Sequence, residues 1–173
     1  MGGSSTVREQ VLEQREGNRL DELYRLHAPD ALRLAYLLTG DCSLAEDLSQ
    51  DAFVRVLGRF RDLRNPEAFW WYLRRTVVNL ANSHFRRSRV ERAYLEREAA
   101  QPAPAGPDMD ERHSTRQALF ALNPEHRAAV VLRYYEDLTE AQTAELLGWP
   151  VGTVKSTVSR AMERLRKELT PGG

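Results

Sequence analysis

The sequence predicts an all-α protein built from two small helical domains that are joined by a flexible linker. Apolar residues recur at helical spacings of three and four along most of the 173-residue chain, and no segment shows sustained period-two alternation. The stretch AAQPAPAGPDMDE, residues 99–111, holds three prolines and one glycine, which exclude a helix there. We therefore expect a flexible N-terminus at 1–17, a first domain at 18–97, the linker at 98–110 and a second domain at 111–170.

Charged residues are balanced over the whole chain but unevenly distributed along it. The chain has 25 Lys and Arg and 25 Asp and Glu, yet residues 1–52 hold 5 Arg against 10 acidic residues. Residues 53–99 reverse this balance, with 11 Arg against 5 acidic residues. The basic surface is therefore local, and a net charge of zero conceals it.

The sequence contains no recognisable enzyme or metal site. Cys42 is the only cysteine, which rules out an intramolecular disulfide and a Cys-based zinc site. There is no glycine-rich phosphate loop or nucleophile motif, and the four histidines lack metal-ligand spacing: His27, His84, His113 and His126. The chain has no run of eighteen apolar residues, and its start lacks the apolar centre of a secretory signal. We expect a cytoplasmic protein that is not an enzyme and that has no cofactor, no metal and no membrane insertion.

The first domain begins with a helix over about 18–38, and a second helix with two distinct faces follows it. Ser43 as N-cap and Glu46 three residues later form a capping box, and this helix runs to about Phe60. One side carries apolar residues: Leu44, Leu48, Ala52, Val56 and Phe60. The other side is an acidic strip with one apolar neighbour: Asp47, Gln50, Asp51 and Val54. Such a strip repels DNA and suits a basic protein surface, although an ordinary solvent-facing side has the same periodicity.

A loop, RDLRNPEA, separates the second helix from a third, which starts near Pro66 and continues past Arg86. Four apolar residues of the third helix are expected in the core: Leu73, Val77, Leu80 and Ala81. Another face carries guanidinium and carboxamide groups at spacings of four, three and four, a set typical of nucleic-acid reading: Arg75, Asn79, Asn82 and Arg86. The aromatic residues at the start of the helix can stack on an unpaired base, although aromatic residues at helical spacing more often lie in a core: Phe69, Trp70 and Trp71.

The second domain is expected to contain four helices, at 111–121, 124–135, 139–147 and 151–169. Asn123–Pro124, Thr139 and the GWPVG turn separate them. The last helix has an apolar stripe: Val151, Val154, Val158, Met162, Leu165 and Leu169. Its other face is polar and basic: Lys155, Ser156, Ser159 and Arg160.

The helix before this one points to a helix-turn-helix unit. It offers three apolar residues to the core, Ala141, Ala144 and Leu147, and a tight turn with Gly148 and Pro150 follows. Two helices joined by so short a turn can lay the second in the DNA major groove, where Lys, Arg and Ser contact phosphates and bases. A basic helix can also be a merely solvated face, but the preceding helix and turn favour DNA as the partner.

The order of three sequence blocks carries a family resemblance. AEDLSQDAF comes first, YLRRTVVNLANSHFRR follows, and after a proline-rich linker comes LNPEHRAAVVLRYYEDLTEAQTAELLGWPVGTVKSTVSRAMERLR. The chain from about residue 18 to 169 thereby resembles the extracytoplasmic-function group of bacterial sigma-70 factors. A helix-turn-helix of this kind also occurs in response-regulator-type activators, but both blocks in this order and spacing are much more specific.

The resemblance implies an alternative sigma factor that directs core RNA polymerase to specific promoters and helps melt the minus-ten element. The first domain would then be sigma region 2, and the second would be sigma region 4. Asp47, Gln50 and Asp51 would bind the polymerase core. The minus-ten element would be read by Arg75, Asn79, Asn82 and Arg86, with a flipped base in the loop from Arg64 to Trp71, which includes Trp70.

Further implications of the resemblance concern the minus-thirty-five element and regulation. Lys155, Ser156, Ser159 and Arg160 would read that element as duplex, and the linker 98–110 would thread through the polymerase. An anti-sigma factor is an expected partner in this family. A rival hypothesis is a stand-alone helix-turn-helix regulator whose first domain senses a ligand or dimerises, and binding to a palindromic operator without polymerase would favour it.

Overall fold

The structure of the protein is a computed structural model that describes residues 3–60, 67–95 and 111–169. Within these ranges it contains seven α-helices, one π-helical turn and no β-strand, which confirms the all-α class. The helices are α1 (Gly3–Thr39), α2 (Cys42–Phe60), α3 (Glu67–Leu95), α4 (Glu111–Ala121), α5 (Pro124–Val130), α6 (Glu140–Leu147) and α7 (Val151–Leu169). None of the helices in this part of the chain is both long and apolar enough to span a bilayer. The predicted linker 98–110 lies outside the described residues.

The first helix begins much earlier than predicted. We expected a flexible N-terminus at 1–17, but the backbone is helical from Gly3 onwards. The segment from Gly3 to Gly17 holds three Glu, two Gln and two Arg, which have high helix propensity, and Gly17 costs only about 1 kcal/mol within a helix. Pro29 is also accommodated inside α1, where it lacks the N–H that would bond the carbonyl of Arg25.

The start of α2 is capped by a different residue from the one predicted. The Asp41 side chain accepts a hydrogen bond from the backbone N–H of Leu44 at 3.0 Å, and its carbonyl accepts from Ala45 at 2.9 Å. Ser43, the predicted N-cap, already lies within the helix. The prediction was wrong because Asp and Ser compete as caps, and Asp41 follows a break at Gly40, whose φ of 75° ends α1.

The core of the N-terminal domain lies between α1, α2 and α3. Leu34 from α1 and Phe69 from α3 are fully buried in it, beside Phe53 from α2. The apolar face predicted for α3 is confirmed, because all four of its residues are buried: Leu73, Val77, Leu80 and Ala81. For α2 the structure buries Leu48, Ala52 and Val56 and half-buries Leu44, while the side chain of Phe60 lies outside the described part of the chain.

Side-chain caps mark the start of two helices of the C-terminal domain, α5 and α6. Asn123 accepts a hydrogen bond from the N–H of His126 at 2.8 Å and thereby caps α5. Thr139 and Gln142 bond each other reciprocally at the start of α6, at 3.2 and 2.9 Å. The helix predicted at 124–135 is continuous, but its last five residues, Val131–Tyr135, form a π-helical turn.

The buried stripe of α7 is shorter than predicted and slightly rotated. Val154 and Leu165 are buried as expected, whereas Val151 and Leu169 are 46 % and 40 % exposed because they lie at the ends of the helix. Thr157 and Ala161 fill the centre of the buried face instead. On α6 the prediction was wrong for Ala141, which is exposed, while Ala144 and Leu147 are buried together with two residues that were not predicted: Thr143 and Leu146.

The two domains pack directly against each other. A single apolar cluster runs from the N-terminal core into α5, the π-helical turn and α6, where it includes Ala129, Leu132 and Leu146. Near the end of α1, the ring of Tyr36 meets Phe120 of α4 edge to face at 5.4 Å. Within the described residues, α3 and the end of α1 therefore pack against the C-terminal domain.

Candidate nucleic-acid interface

The turn between α6 and α7 brings the two helices close together within three residues. Gly148 adopts a left-handed φ of 68°, and the N–H of Trp149 bonds the carbonyl of Ala144 at 3.0 Å, which closes α6. The carbonyl of Pro150 then accepts bonds from Thr153 and Val154 at 3.0 and 3.2 Å, which opens α7. This tight connection is the geometry of a helix-turn-helix.

The outer face of α7 presents most of the residues that were predicted to contact duplex DNA. Lys155, Ser159 and Arg160 are exposed. Ser156 is half-buried, and its hydroxyl donates to the carbonyl of Thr153 at 3.1 Å, so it is engaged by its own helix. The face thus offers two cations and one hydroxyl, near the N-terminal half of the helix, where recognition helices meet base edges.

The polar stripe of α3 is also accessible. Arg75, Asn79 and Arg86 are exposed, and Asn82 is half-buried. The opposite side of α3 is held in the core by Val77 and other buried residues, so the helix cannot rotate to hide the stripe. The structure therefore brings the four predicted residues together on one surface.

A cavity that the sequence analysis did not anticipate lies beside this stripe, between α2 and α3. It has a volume of about 390 Å³, and its polar wall comes from both helices: Arg55, Arg59, Tyr72, Thr76, Asn79 and Ser83. Asn79 belongs both to the stripe and to the cavity. Helical spacing in the sequence could indicate only its α3 wall, where Tyr72, Thr76, Asn79 and Ser83 follow intervals of four, three and four.

The aromatic residues at the start of α3 belong mainly to the protein's own packing. Phe69 is fully buried. The indole of Trp70 is stacked on His27 at 5.5 Å between ring centroids and has the guanidinium of Arg74 5.1 Å from its centroid. Trp70 and Trp71 are both half-buried, and their contact with a flipped base stays a prediction. Residues 64–66 of the predicted flipped-base loop lie outside the described residues.

Burial of His27 within this aromatic group shifts the equilibrium between its charged and neutral forms. Desolvation lowers the pKa of His27, and the carboxylate of Asp30 opposes that change only in part. Burial thus favours the neutral imidazole, which suits its stacking on Trp70. No group of side chains able to hold a metal ion occurs among the described residues.

The acidic strip of α2 is on the surface, as predicted. Asp47 and Gln50 are exposed, and their apolar neighbour Val54 is 70 % exposed. Asp51 is half-buried and forms an ion pair with Arg55 at 2.9 Å. Val54 lies one turn beyond Asp51, so the strip combines surface carboxylates with one exposed apolar side chain at its end, a combination that suits a protein-binding surface.

Two family matches divide the chain as its two domains do. Residues 23–90 match sigma-70 region 2, and residues 112–165 match sigma-70 region 4. The RNA polymerase sigma-E factor of Streptomyces coelicolor is 35 % identical over 153 residues, which cover 86 % of this chain and 85 % of that protein. The chain belongs to the extracytoplasmic-function group of sigma-70 factors.

Other relatives and a solved structure agree with this membership. The ECF RNA polymerase sigma factor SigE of Mycolicibacterium smegmatis is 37 % identical and matches 86 % of this sigma factor and 61 % of its own length. In the co-crystal structure of the sigma factor RpoE with the anti-sigma factor NepR from Bartonella quintana, one chain matches with a TM-score of 0.68 at 24 % identity. That match covers 88 % of this sigma factor and 98 % of the solved chain, and it shows a shared fold.

The two matched regions contain the three candidate surfaces of this sigma factor. Region 2 spans the C-terminal part of α1 from residue 23, all of α2 and most of α3, and so contains both the acidic strip and the polar stripe with its cavity. Region 4 spans α4 to α7 and contains the basic face of α7. Each domain therefore carries one candidate DNA surface, and the N-terminal domain adds a candidate protein surface.

Proposed function

We propose that this sigma factor directs core RNA polymerase to specific promoters and helps to open the minus-ten element. The observation that carries the proposal is the presence of two separate polar helix faces in one chain, the outer face of α7 and the stripe of α3. Two such faces suit two promoter elements. The relatives support this proposal, since they are themselves named as RNA polymerase sigma factors.

For the minus-thirty-five element we propose duplex recognition by α7. Lys155 and Arg160 supply cations that can bond phosphates or guanine edges, and Ser159 supplies a hydroxyl. Ser156 belongs to the same proposed surface; its hydroxyl donates to the carbonyl of Thr153, and its oxygen can still accept a hydrogen bond.

For the minus-ten element we propose that α3 binds unpaired bases. Asn79 and Asn82 offer donors and acceptors to base edges, while Arg75 and Arg86 offer charge to the backbone. The cavity of about 390 Å³ beside Asn79 supports this role, because it has polar walls and an exposed tyrosine, Tyr72, on which a base can stack. Trapping unstacked bases offsets the few kcal/mol that opening the duplex costs.

For the polymerase core we propose the acidic strip of α2 as the docking surface. Asp47 and Gln50 are free to meet a basic partner, and Asp51 can exchange its exposed pair with Arg55 for one with polymerase, since such pairs contribute little by themselves. Binding to core would hold both DNA surfaces at a fixed distance and raise their effective concentration at a promoter. The free protein is then expected to bind promoter duplex weakly, and its place of action is the cytoplasm.

An anti-sigma factor is a further proposed partner. The solved structure with the shared fold is a complex with such a protein. The alternative function is a stand-alone helix-turn-helix regulator, and the experiments below test the polymerase-dependent function against it.

A paired substitution on α7 tests the duplex-reading surface. We expect Lys155→Ala with Arg160→Ala to lower transcription by reconstituted holoenzyme at least about tenfold, because one good base contact is worth about 1–3 kcal/mol. The measurement is run-off transcription from a promoter library, with sequencing of the transcribed promoters.

The matched control removes two cations from the last turn of the same helix, Arg166→Ala with Lys167→Ala. This variant should transcribe like the wild-type protein, since that end of a recognition helix lies away from the base edges. Equal losses in both variants would show that α7 contributes only general positive charge.

A further inference from the structure

A second cleft, of about 370 Å³, lies between α3 and the C-terminal domain. Its volume falls at the small end of the range of pockets that bind small molecules. The α3 wall carries two carboxamides and two guanidinium groups, and the opposite wall carries a carboxylate and an indole: Asn79, Asn82, Arg86, Arg89, Glu125 and Trp149. This set of groups, more than the volume, indicates which ligand the cleft suits.

The cleft has an excess of positive charge. Arg86 and Arg89 are exposed on its α3 wall, and Glu125 is the one carboxylate that lines it among the described residues. A third cation, Arg127, has its guanidinium 5.7 Å from the ring centroid of Phe85, which also lines the cleft. Arg127 is only 6 % exposed, and none of the described carboxylates pairs with it. The cleft therefore favours an anionic ligand.

The ion pair between Arg89 and Glu125 crosses the cleft and is open to exchange. Nη2 of Arg89 lies 3.0 Å from Oε1 of Glu125, and the two side chains are 68 % and 57 % exposed. Because such an exposed pair contributes little, a ligand that bonds both partners can replace it. A guanidinium binds phosphate with two parallel hydrogen bonds, and a carboxylate accepts hydrogen bonds from hydroxyl groups. A phosphate and a sugar together would satisfy this pair.

Trp149 gives the cleft an aromatic surface held in a fixed position. Its indole is half-buried, packs against the apolar core and also lines the cleft. Its backbone N–H bonds the carbonyl of Ala144 at 3.0 Å, which fixes the chain at the end of α6. An aromatic side chain in such a place can stack on a nucleobase, and a purine offers it the larger face. Asn79 and Asn82 supply donors and acceptors for the edge of the base.

We propose that this cleft is a binding site for a purine ribonucleoside monophosphate. Arg86 and Arg89 bind the phosphate. Trp149 stacks on the base, and Glu125 accepts hydrogen bonds from the ribose hydroxyls. Because Asn79 and Arg86 also belong to the polar stripe, a bound nucleotide would occupy part of the surface proposed for the minus-ten element. That consequence rests on the proposed function, whereas the binding itself does not.

Isothermal titration calorimetry of the full-length protein with AMP and GMP tests the proposal. We expect at least one of them to bind, and the corresponding nucleoside, which lacks the phosphate, to bind at least about tenfold more weakly. Arg86→Ala should weaken binding of the nucleotide at least about tenfold, because it removes a charge-assisted hydrogen bond. The matched control is Arg87→Ala, which removes an exposed arginine of the same helix that does not line the cleft. Its affinity should stay within about twofold of the wild-type value.

Two further comparisons test the base and the ribose contacts. Trp149→Leu retains an apolar side chain but removes the stacking surface, so it should weaken binding at least about fivefold. The 2′-deoxyribonucleotide should bind the wild-type protein at least about threefold more weakly than the ribonucleotide. This ratio should disappear in Glu125→Ala, because the carboxylate that accepts the 2′-hydroxyl is gone. The ratio, unlike the affinity itself, does not change when the loss of Glu125 frees Arg89 for the phosphate.

Three outcomes would overturn the proposal. Failure of both AMP and GMP to bind at millimolar concentrations would exclude a nucleotide site. Equal affinities of Arg86→Ala and Arg87→Ala would show that the nucleotide binds outside the cleft, and equal binding of ribonucleotide and deoxyribonucleotide to the wild-type protein would exclude the ribose contact with Glu125. Failure of the proposed function is distinguishable, because these titrations use neither polymerase nor promoter, whereas that failure appears as an absence of transcription by the wild-type holoenzyme.

Discussion

Thr143 is a buried polar residue without a hydrogen-bonding partner for its hydroxyl among the described residues. It lies fully buried in α6, between the capping box and the turn that leads into α7. Its methyl group and hydroxyl fill a site that an apolar side chain of the same shape would also fill. An unsatisfied buried hydroxyl costs on the order of 1–3 kcal/mol.

We predict that Thr143→Val increases the free energy of unfolding by about 1 kcal/mol, because it removes the unpaired hydroxyl and preserves the volume. The matched variant Thr143→Ser retains the hydroxyl and loses the methyl group, so it should lower stability by about 1 kcal/mol. Urea denaturation followed by circular dichroism measures both changes. A valine variant less stable than the serine variant would show that the hydroxyl has a partner.

At the scale of single elements, the cap of α2 separates what the sequence pattern could predict from what it could not. Several caps can suit one helix start, and the choice depends on where the preceding helix ends. Gly40 ends α1 with a left-handed φ, and this leaves Asp41 in position to accept from Leu44. The pattern predicted the helix correctly but placed its cap two residues too late.

We predict that Asp41→Ala lowers the free energy of unfolding by about 1 kcal/mol, the usual loss for an N-cap. Ser43→Ala should change it by less than about 0.5 kcal/mol, because Ser43 is exposed and lies within the helix. Thermal unfolding of the two variants gives the comparison. A larger loss for Ser43→Ala would show that Ser43 is the N-cap of α2, as the sequence predicted.

The candidate DNA surfaces were predictable to different degrees for a physical reason. The stripe of α3 and the basic face of α7 are local, since helical periodicity alone places their residues on one side of a helix. The packing of Trp70 could not be predicted from its own helix, because His27 from α1 stacks on its indole. Likewise, the cavity between α2 and α3 depends on how two helices pack, which spacing in one helix does not reveal.

At the scale of the whole molecule, closure of the two domains depends on contacts between residues far apart in sequence. Arg74 and Glu136 are paired across the interface, and Arg127 from α5 lies between the rings of Phe85 and Phe120 at 5.7 and 5.5 Å. Burial lowers the pKa of Arg127, in keeping with its enclosed position. No periodic pattern in the sequence predicts such pairs.

The protonation of Glu136 makes stability depend on pH. Burial raises the pKa of Glu136, and the positive charge of Arg74 opposes this only in part, while the nearby carboxylate of Asp30 adds to it. A carboxyl group whose pKa is raised in the native state binds protons more readily there than in the unfolded chain. Its contribution to stability is therefore present at low pH and is lost as pH rises through the native pKa.

We predict that the wild-type protein gains stability relative to Glu136→Gln as pH is lowered, because the amide cannot bind the proton. Urea denaturation of both proteins at several pH values from 4.5, the ordinary pKa of the carboxyl group, up to 8 measures the difference in their free energies of unfolding. A difference that is constant over this range, or that grows with pH, would contradict the raised pKa.

Dependence on polymerase distinguishes a sigma factor from a stand-alone regulator most directly. We would measure run-off transcription from a promoter library with bacterial core polymerase, with and without this protein, and with Asp47→Ala plus Asp51→Ala. Glu163→Ala plus Glu168→Ala removes the same charge from α7 and serves as the control.

If the acidic strip docks on the core as proposed, transcripts should require the protein, fall at least about tenfold in the Asp47 and Asp51 variant, and persist in the control. The opposite result is that the protein supports no transcription with core polymerase and yet binds a specific duplex tightly on its own. That outcome would contradict the sigma-factor function and favour the stand-alone regulator.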